Sequence, residues 1–537
     1  MQVQRQFVQV GERRVLVRHA GQGPAVVLLH QSPESSVSLL PWFSRLADRF
    51  AVFAPDTPGF GLSDPLPLAQ PTVPDLASAL LRLLDALGLQ RVLLYGVHTG
   101  AAIAARLARD HPGRVAGLVC DGLSAFTAEE RQPLLDGYLP PFEPLWDGTH
   151  LLWLWARIRE QTLFFPWHTG SAAARIAYPL ATPAQIHKSV MELLDAGDGY
   201  RAGYRAPLLH EHGARGAAQL QGPAWLLYRE SDVLRPHLDR LPALPAHVQA
   251  RAVADATALA TQTAAAFDQQ ASAASTVDAA AAVAGCASPY RRIVATGDGE
   301  LGWLDSGSDG PNNSATHDPT RDGDAELLLP DIGTPARLPA DAAPGMRVLA
   351  IELPGHGASG PMAEAAVHNH RWLQALPALL QQQGLTRIHL RASGGACALA
   401  VHLAQQLGPR CHRLTLQDPL PLATAQSAVL LAGLPDLQPH ATGAHLIAAW
   451  NWARLKHLFW PWLPADASAA IAAAAPPPRR VHDDAVEMLR AGPLLAALWQ
   501  SALQQQPWLA LRSLPAAVHL HCSSSQPEQV QIGRAHV

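Results

Sequence analysis

The chain opens with alternating apolar and polar positions. Phe7–Val10 and Arg14–Arg18 flank Gly11-Glu12, a pattern that predicts an antiparallel hairpin. The alternation then gives way to short, nearly unbroken apolar runs at Ala25–Leu29, Ala51–Ala54, Arg91–Tyr95, Val115–Cys120 and Ala224–Tyr228. Runs of this kind suit strands buried on both faces. A last strand is expected near Val248–Val253. Leu76–Leu87 has helical spacing and stops at Gly88, and an Ala-rich helix, Ala101–Arg109, follows a Gly-rich turn. Strands alternating with helices predict a mostly parallel sheet covered by helices on both sides. From about 122 to 213 a Trp-rich, mostly helical stretch interrupts the alternation. In such sheets ligands bind at the carboxyl ends of the strands, so an insertion there is expected to form a lid.

The pattern is then repeated. Asp56-Thr-Pro-Gly-Phe-Gly-Leu-Ser-Asp-Pro65 returns 296 residues later as Glu352-Leu-Pro-Gly-His-Gly-Ala-Ser-Gly-Pro361, and Gly88-Leu-Gln-Arg-Val returns as Gly384-Leu-Thr-Arg-Ile. A third block, His150 to Trp167, matches His445 to Trp462 without a gap and shares His150/His445, Trp155/Trp450, Arg159/Arg454, Pro166/Pro461 and Trp167/Trp462. His187 and Glu192 recur as His482 and Glu487. Ordered blocks at nearly constant offset indicate duplication of a unit of roughly 270 residues. The expected organisation is a first domain over 1–270, an Ala/Ser-rich linker over 271–287, a second, diverged domain over 288–525 and a tail over 526–537. Asp305–Asp324, rich in Gly, Asn, Asp and Ser, reads as a surface insertion in the second copy.

Composition narrows the class. Of 537 residues, 48% are hydrophobic and 16% charged, a balance that builds cores. The net charge of −4 makes no electrostatic case for nucleic acid or an anionic membrane. Five scattered cysteines without a CxxC argue against a disulfide framework or a zinc site, and no other metal or cofactor motif stands out. His210-Glu-His212 does not put both rings on one helix face and reads as a solvated segment. The first residues lack a charged start followed by an apolar core, and no apolar run of about 18 residues is present, so a cytoplasmic location is expected. Two lysines against many arginines suggest a GC-rich bacterial genome.

Four local patterns carry a resemblance to the α/β-hydrolase superfamily. They are Leu29-His30-Gln31-Ser32-Pro33, the Asp56 block, Gly96-Val-His-Thr-Gly100 between a strand and a helix, and Glu230-Ser-Asp232 after a late strand. The resemblance covers nearly all of 7–270 and most of 288–525. It implies two tandem α/β-hydrolase-like domains, each with a helical lid, the second copy truncated. In that family the turn between strand and helix carries a serine nucleophile between two glycines. Here His98 stands in its place. The resemblance makes the N–H groups of Gln31 and Thr99 the oxyanion donors and Asp232, or alternatively Asp121, the acid. The usual histidine after the last strand is missing, since the turn there reads Ala254-Asp-Ala-Thr257. His98 is either a general base or unusual nucleophile beside a carboxylate, or a remnant in a turn kept as architecture.

The lid motif supplies further candidates. His150, Trp155 and Arg159 are spaced to approach one side of a helix, where Arg159 could hold a carboxylate and Trp155 cover an apolar group. The alternative is a packing stripe with a solvated arginine. His30 is a further candidate contact for substrate. In the second copy gapless alignment puts Gly394 opposite His98 and Ser524 opposite Asp232; a one-residue slip would offer Ser393 but would put Arg391 at the first glycine position, so no nucleophile is expected there. Ile532-Gly-Arg-Ala-His-Val537 reads as translated adaptor DNA and is expected to be artefactual. The functional expectation is a hydrolase for a small organic ester, thioester or related carbonyl substrate, with the two domains packing on each other. The rival is a non-catalytic small-molecule-binding protein.

Overall fold

The computed structural model describes residues 2–210, 213–307, 324–340, 346–420, 422, 424–459, 462–463, 470–471, 474–504 and 507–521. Glu211, His212, most of the insertion expected at 305–324, Pro461, Ser524 and the tail lie outside them. The chain divides into two compact units, Met1–Glu143 with Trp153–Ser288, and Pro144–Leu152 with Pro289–Val537.

The first unit is built on nine strands: β1 (Gln4–Val10), β2 (Arg13–Ala20), β3 (Gln22–Leu29), β4 (Ala51–Pro55), β5 (Val92–Val97), β6 (Val115–Asp121), β7 (Ala224–Arg229), β8 (Val248–Val253) and β9 (Thr276–Asp278). They are ordered β1-β2-β4-β3-β5-β6-β7-β8, with β9 pairing β3. The β1–β2 hairpin is antiparallel, from Gln4 opposite His19 to Val10 opposite Arg13. From β4 to β8 every pairing is parallel. The central strands β4, β5 and β6 are buried along their whole length, as their unbroken apolar runs require. Alternate residues serve opposite faces: Val27, Leu29 and Leu94 join one apolar cluster, and Val26, Leu28 and Tyr95 the other.

The helix Val73–Ala86 begins at a capping box between Thr72 and Asp75 and buries Leu76, Leu80, Leu83 and Leu84 at helical spacing. Four helices of the expected lid, Ala128–Gly137, Thr149–Gln161, Pro183–Ala196 and Tyr200–Leu209, lie between β6 and β7. Residues 271–287, expected as a linker, are folded parts of the first unit. Gly23 on β3 pairs with Val277 on β9, and Asp278 caps the helix Ala279–Ala284, which buries Ala279 and Val283. Weak side-chain periodicity hid these elements, because a run of alanines has too little apolar bulk to mark which face is buried.

The second unit repeats the plan with β10 (Arg291–Thr296), β11 (Gly299–Asp305), β12 (Asp324–Leu329), β13 (Arg347–Glu352), β14 (Arg387–Ser393), β15 (Cys411–Gln417) and β16 (Ala517–His521). Their order is β10-β11-β13-β12-β14-β15-β16, the order of β1 to β7. Among the described residues no strand takes the place of β8. Two mostly parallel, helix-flanked sheets are thus present, as expected for two α/β-hydrolase-like domains.

Candidate functional site

The turn between β5 and the helix Thr99–Asp110 is forced by close approach. A Cβ on Gly96 would lie 2.3 Å from the Gly100 carbonyl oxygen, and one on Gly100 would lie 2.3 Å from that of Leu29. Only glycine fits at either position. The turn residue His98 adopts φ +47° and ψ −103°, a left-handed conformation that costs a non-glycine residue about 1–3 kcal/mol. The turn is anchored by the His98 N–H, which donates to the Asp121 carbonyl at 3.0 Å. The effect is to lift the His98 ring to the end of the sheet, beside the first turn of a helix.

There His98 Nε2 lies 3.1 and 3.0 Å from the two carboxylate oxygens of Asp232. The Asp232 side chain is fully buried and also accepts the Leu234 N–H at 2.8 Å and Arg229 Nη2 at 2.8 Å. Arg229, the last residue of β7, reaches Asp121 as well, at 3.4 Å, and the Tyr95 hydroxyl donates to Asp121 at 2.9 Å. Two carboxylates, one guanidinium and one imidazole therefore form a single buried network. Burial alone would lower the His98 pKa, but the charge and hydrogen bond of Asp232 outweigh it and the ring titrates above the ordinary histidine value. Burial pushes the Asp232 carboxyl up, yet His98 and Arg229 hold it far below the usual carboxylate range. Burial prevails at Asp121, whose pKa is raised against the opposing charges of Arg229 and His98.

A cavity of about 290 Å³ opens in front of this network. His98, Thr99, Gln31 and Arg229 form part of its floor, and Tyr138, Gln161, Tyr178 and Tyr204 from the lid region line it above. A quarter of the His98 side chain is exposed. Its Nε2 is taken by Asp232, and among the described residues Nδ1 has no hydrogen-bond partner. The N–H groups in the first turn of the helix Thr99–Asp110 have no helical carbonyl four residues back, so they are free to meet an anionic oxygen.

His98, Asp232, Asp121, Gln31 and Thr99 are thus brought together. The other sequence candidates lie elsewhere. His30 is buried beside the cavity floor, where Nε2 accepts the Thr57 N–H at 2.9 Å and Nδ1 meets the Gln31 carbonyl at 2.9 Å. Burial lowers its pKa and keeps it neutral. Trp155 is buried without lining the cavity, and Arg159 is exposed, paired with Glu160 at 2.9 Å. His150 belongs to the second unit, where Nδ1 accepts the Leu145 N–H at 3.1 Å and Nε2 meets His482 Nδ1 at 3.0 Å. His445 does the same local work, accepting the His440 N–H at 3.2 Å. The recurrence of this histidine follows a turn that each copy closes five residues upstream.

Sequence reasoning missed Arg229 and Tyr95. The spacing of Arg229 to Asp232, three residues across a strand end, was the available signal. The cavity tyrosines left none, since their convergence depends on how the lid helices pack.

Residues 24–162 match a family model described as the alpha/beta hydrolase fold. The chain is 30% identical over 135 residues to an uncharacterized hydrolase of Saccharomyces cerevisiae, covering 25% of this chain and 45% of that protein. It is 28% identical over 137 residues to a 2-hydroxy-6-oxo-6-phenylhexa-2,4-dienoate hydrolase of Burkholderia cepacia, covering 24% of this chain and 48% of that one. The matched part therefore spans less than half the length of these curated relatives. Among solved structures, Epoxide Hydrolase A from Mycobacterium thermoresistibile aligns with 51% of this chain and 100% of its own, at 22% identity and a TM-score of 0.39.

Proposed function

We propose, from the match of residues 24–162 to the alpha/beta hydrolase fold, that the first unit hydrolyses a small ester, thioester or related carbonyl substrate with His98 as general base. The observation that carries this reading is the His98–Asp232 contact, made at the β5–helix turn, the elbow of the fold, and facing a cavity of about 290 Å³. Asp232 accepts the Nε2 proton and leaves Nδ1 as the basic atom toward the cavity. A water positioned there gives its proton to Nδ1 as its oxygen attacks the carbonyl carbon. The developing oxyanion is met by the N–H groups of Thr99 and Gln31. Collapse breaks the bond to the leaving group, which takes the proton from Nδ1. The products are the acid and the alcohol or thiol, and the enzyme is returned unchanged. The second unit is read as a diverged duplicate without a nucleophile.

A second reading, a binding protein without turnover, is favoured by one observation. Where the superfamily places its histidine after the last strand, Asp255 instead caps the helix Ala256–Gln270, accepting the Thr257 and Ala258 N–H groups at 2.8 Å each.

Turnover of short p-nitrophenyl esters and thioesters by the full chain, beside a folded His98→Ala variant, separates the two. Base catalysis predicts a loss of about 10²–10⁴-fold in kcat/KM. Its rate should rise with pH through the raised His98 pKa, as the ring loses its proton, and Asp232→Asn should move that inflection to lower pH. A well-folded native chain that binds such esters without turnover, or a variant as active as the native chain, sinks the catalytic reading.

A further inference from the structure

The second unit keeps the elbow and fills it differently. Gly394 has φ +56° and its N–H donates to the Gln417 carbonyl at 3.0 Å, the counterpart of the His98 to Asp121 bond. Gly395 then corresponds to Thr99. In this unit the Asp331 carboxylate occupies the space in front of the turn. Its Oδ1 accepts the N–H groups of both Gly395 and Ile332, each at 2.8 Å. Its Oδ2 lies 2.5 Å from Lys456 Nζ, which also donates to the Ile332 carbonyl at 2.8 Å. Lys456 stands where the gapless repeat puts Gln161 in the first unit. Its side chain is 7% exposed, and Nζ sits 5.8–5.9 Å from the ring centres of Trp452, Trp462 and Trp499.

One N–H from the residue after the turn and one from the loop after β12 converge on a single oxygen. The Gly395 N–H is the counterpart of the Thr99 N–H, while the Ile332 N–H lies one residue past Asp331, which stands where Gln31 stands in the first unit, so the carboxylate fills one of the two donor positions and recruits a neighbouring N–H. The arrangement also excludes a side chain at the turn, because a Cβ on Gly394 would lie 2.2 Å from Asp331 Oδ1. A catalytic elbow residue and this carboxylate cannot coexist. Burying an ammonium beside three indoles is costly without a paired anion, and Asp331 is that anion.

We propose that Asp331 is an internal ligand that closes a carboxylate-binding site in the second unit, formed by the Gly395 and Ile332 N–H groups and the Lys456 ammonium. The native chain holds this site shut. Removing the carboxylate opens it to a small free carboxylate such as formate.

The test is thermal unfolding of the full chain in sodium formate against sodium chloride at matched ionic strength. Native protein is expected to respond equally to the two salts. Asp331→Ala is expected to unfold at lower temperature and to regain about 2–4 °C at a formate concentration near five times its Kd. Adding Lys456→Met to that variant should abolish the response. Asp331→Asn retains an acceptor oxygen for both N–H groups and is expected to fold and to ignore formate. If Asp331→Ala folds in formate and not in chloride, the proposal stands. Indifference of Asp331→Ala to formate overturns it, as does a formate response of equal size in the native chain or in Asp331→Asn.

Discussion

His98 sits in a backbone conformation that glycine adopts freely and histidine does not. What holds it there is the Asp232–Arg229–Asp121 network on one edge of the ring and the strand-end hydrogen bond on its N–H. Breaking a buried pair by deleting one partner is costly. Asp232→Ala should lower stability by about 3–5 kcal/mol, read as a denaturant midpoint shift at constant slope, because it leaves Arg229 and His98 without their shared anion. Glu192 shows the opposite balance. Burial, aided by the charge of Glu34, raises its pKa to about 8 while Ser35 donates to it at 3.1 Å. Its folded-state pKa lies above the unfolded value, so its contribution to stability is full below about 4.5 and is lost as pH rises through about 8. Glu192→Gln should flatten the fall in Tm between those limits, and an unchanged profile would show that the carboxyl is not protonated in the folded chain.

Among the elements, the elbow is the one whose sequence and geometry constrain each other most closely. Gly100 lies against the end of β3, and its missing Cβ is what lets the helix Thr99–Asp110 start so near the loop that carries Gln31. Gly100→Ala meets the Leu29 carbonyl, a backbone atom that cannot rotate away. The change should cost at least about 1–3 kcal/mol and depress any turnover more than a comparable destabilisation elsewhere, because it separates Thr99 from Gln31. Unfolding curves combined with ester kinetics would check both parts.

For the molecule as a whole, the consequential finding is where the first unit ends. A chain cut after Gln270 loses β9 and the helix Ala279–Ala284, with the β3 pairing and the burial of Ala279 and Val283. A chain cut after Ser288 keeps them. The longer chain is expected to unfold at the higher temperature, and equal Tm values would mean that β9 adds nothing to the first unit. Among the described residues no helix is long and apolar enough to cross a membrane.

The amino-acid pattern by itself determined the first unit's strands other than β9, its main flanking helices and the repetition of the unit, because an apolar run or a period of 3.6 is a local property that burial demands. The elbow was legible for the same reason: two glycines around one residue between a strand and a helix leave few conformations. The pairing of His98 with Asp232 rather than Asp121 was decided by tertiary structure, since Asp121 ends β6, Asp232 follows the neighbouring β7, and only the path after β7 chooses between them. Placing His150, Trp155 and Arg159 away from the cavity was decided there too, because helical spacing fixes which residues share a face but not what that face meets. The Asp331–Lys456 pair joins residues 125 positions apart. Only the folded chain brings that carboxylate to the Gly395 N–H and the Lys456 ammonium.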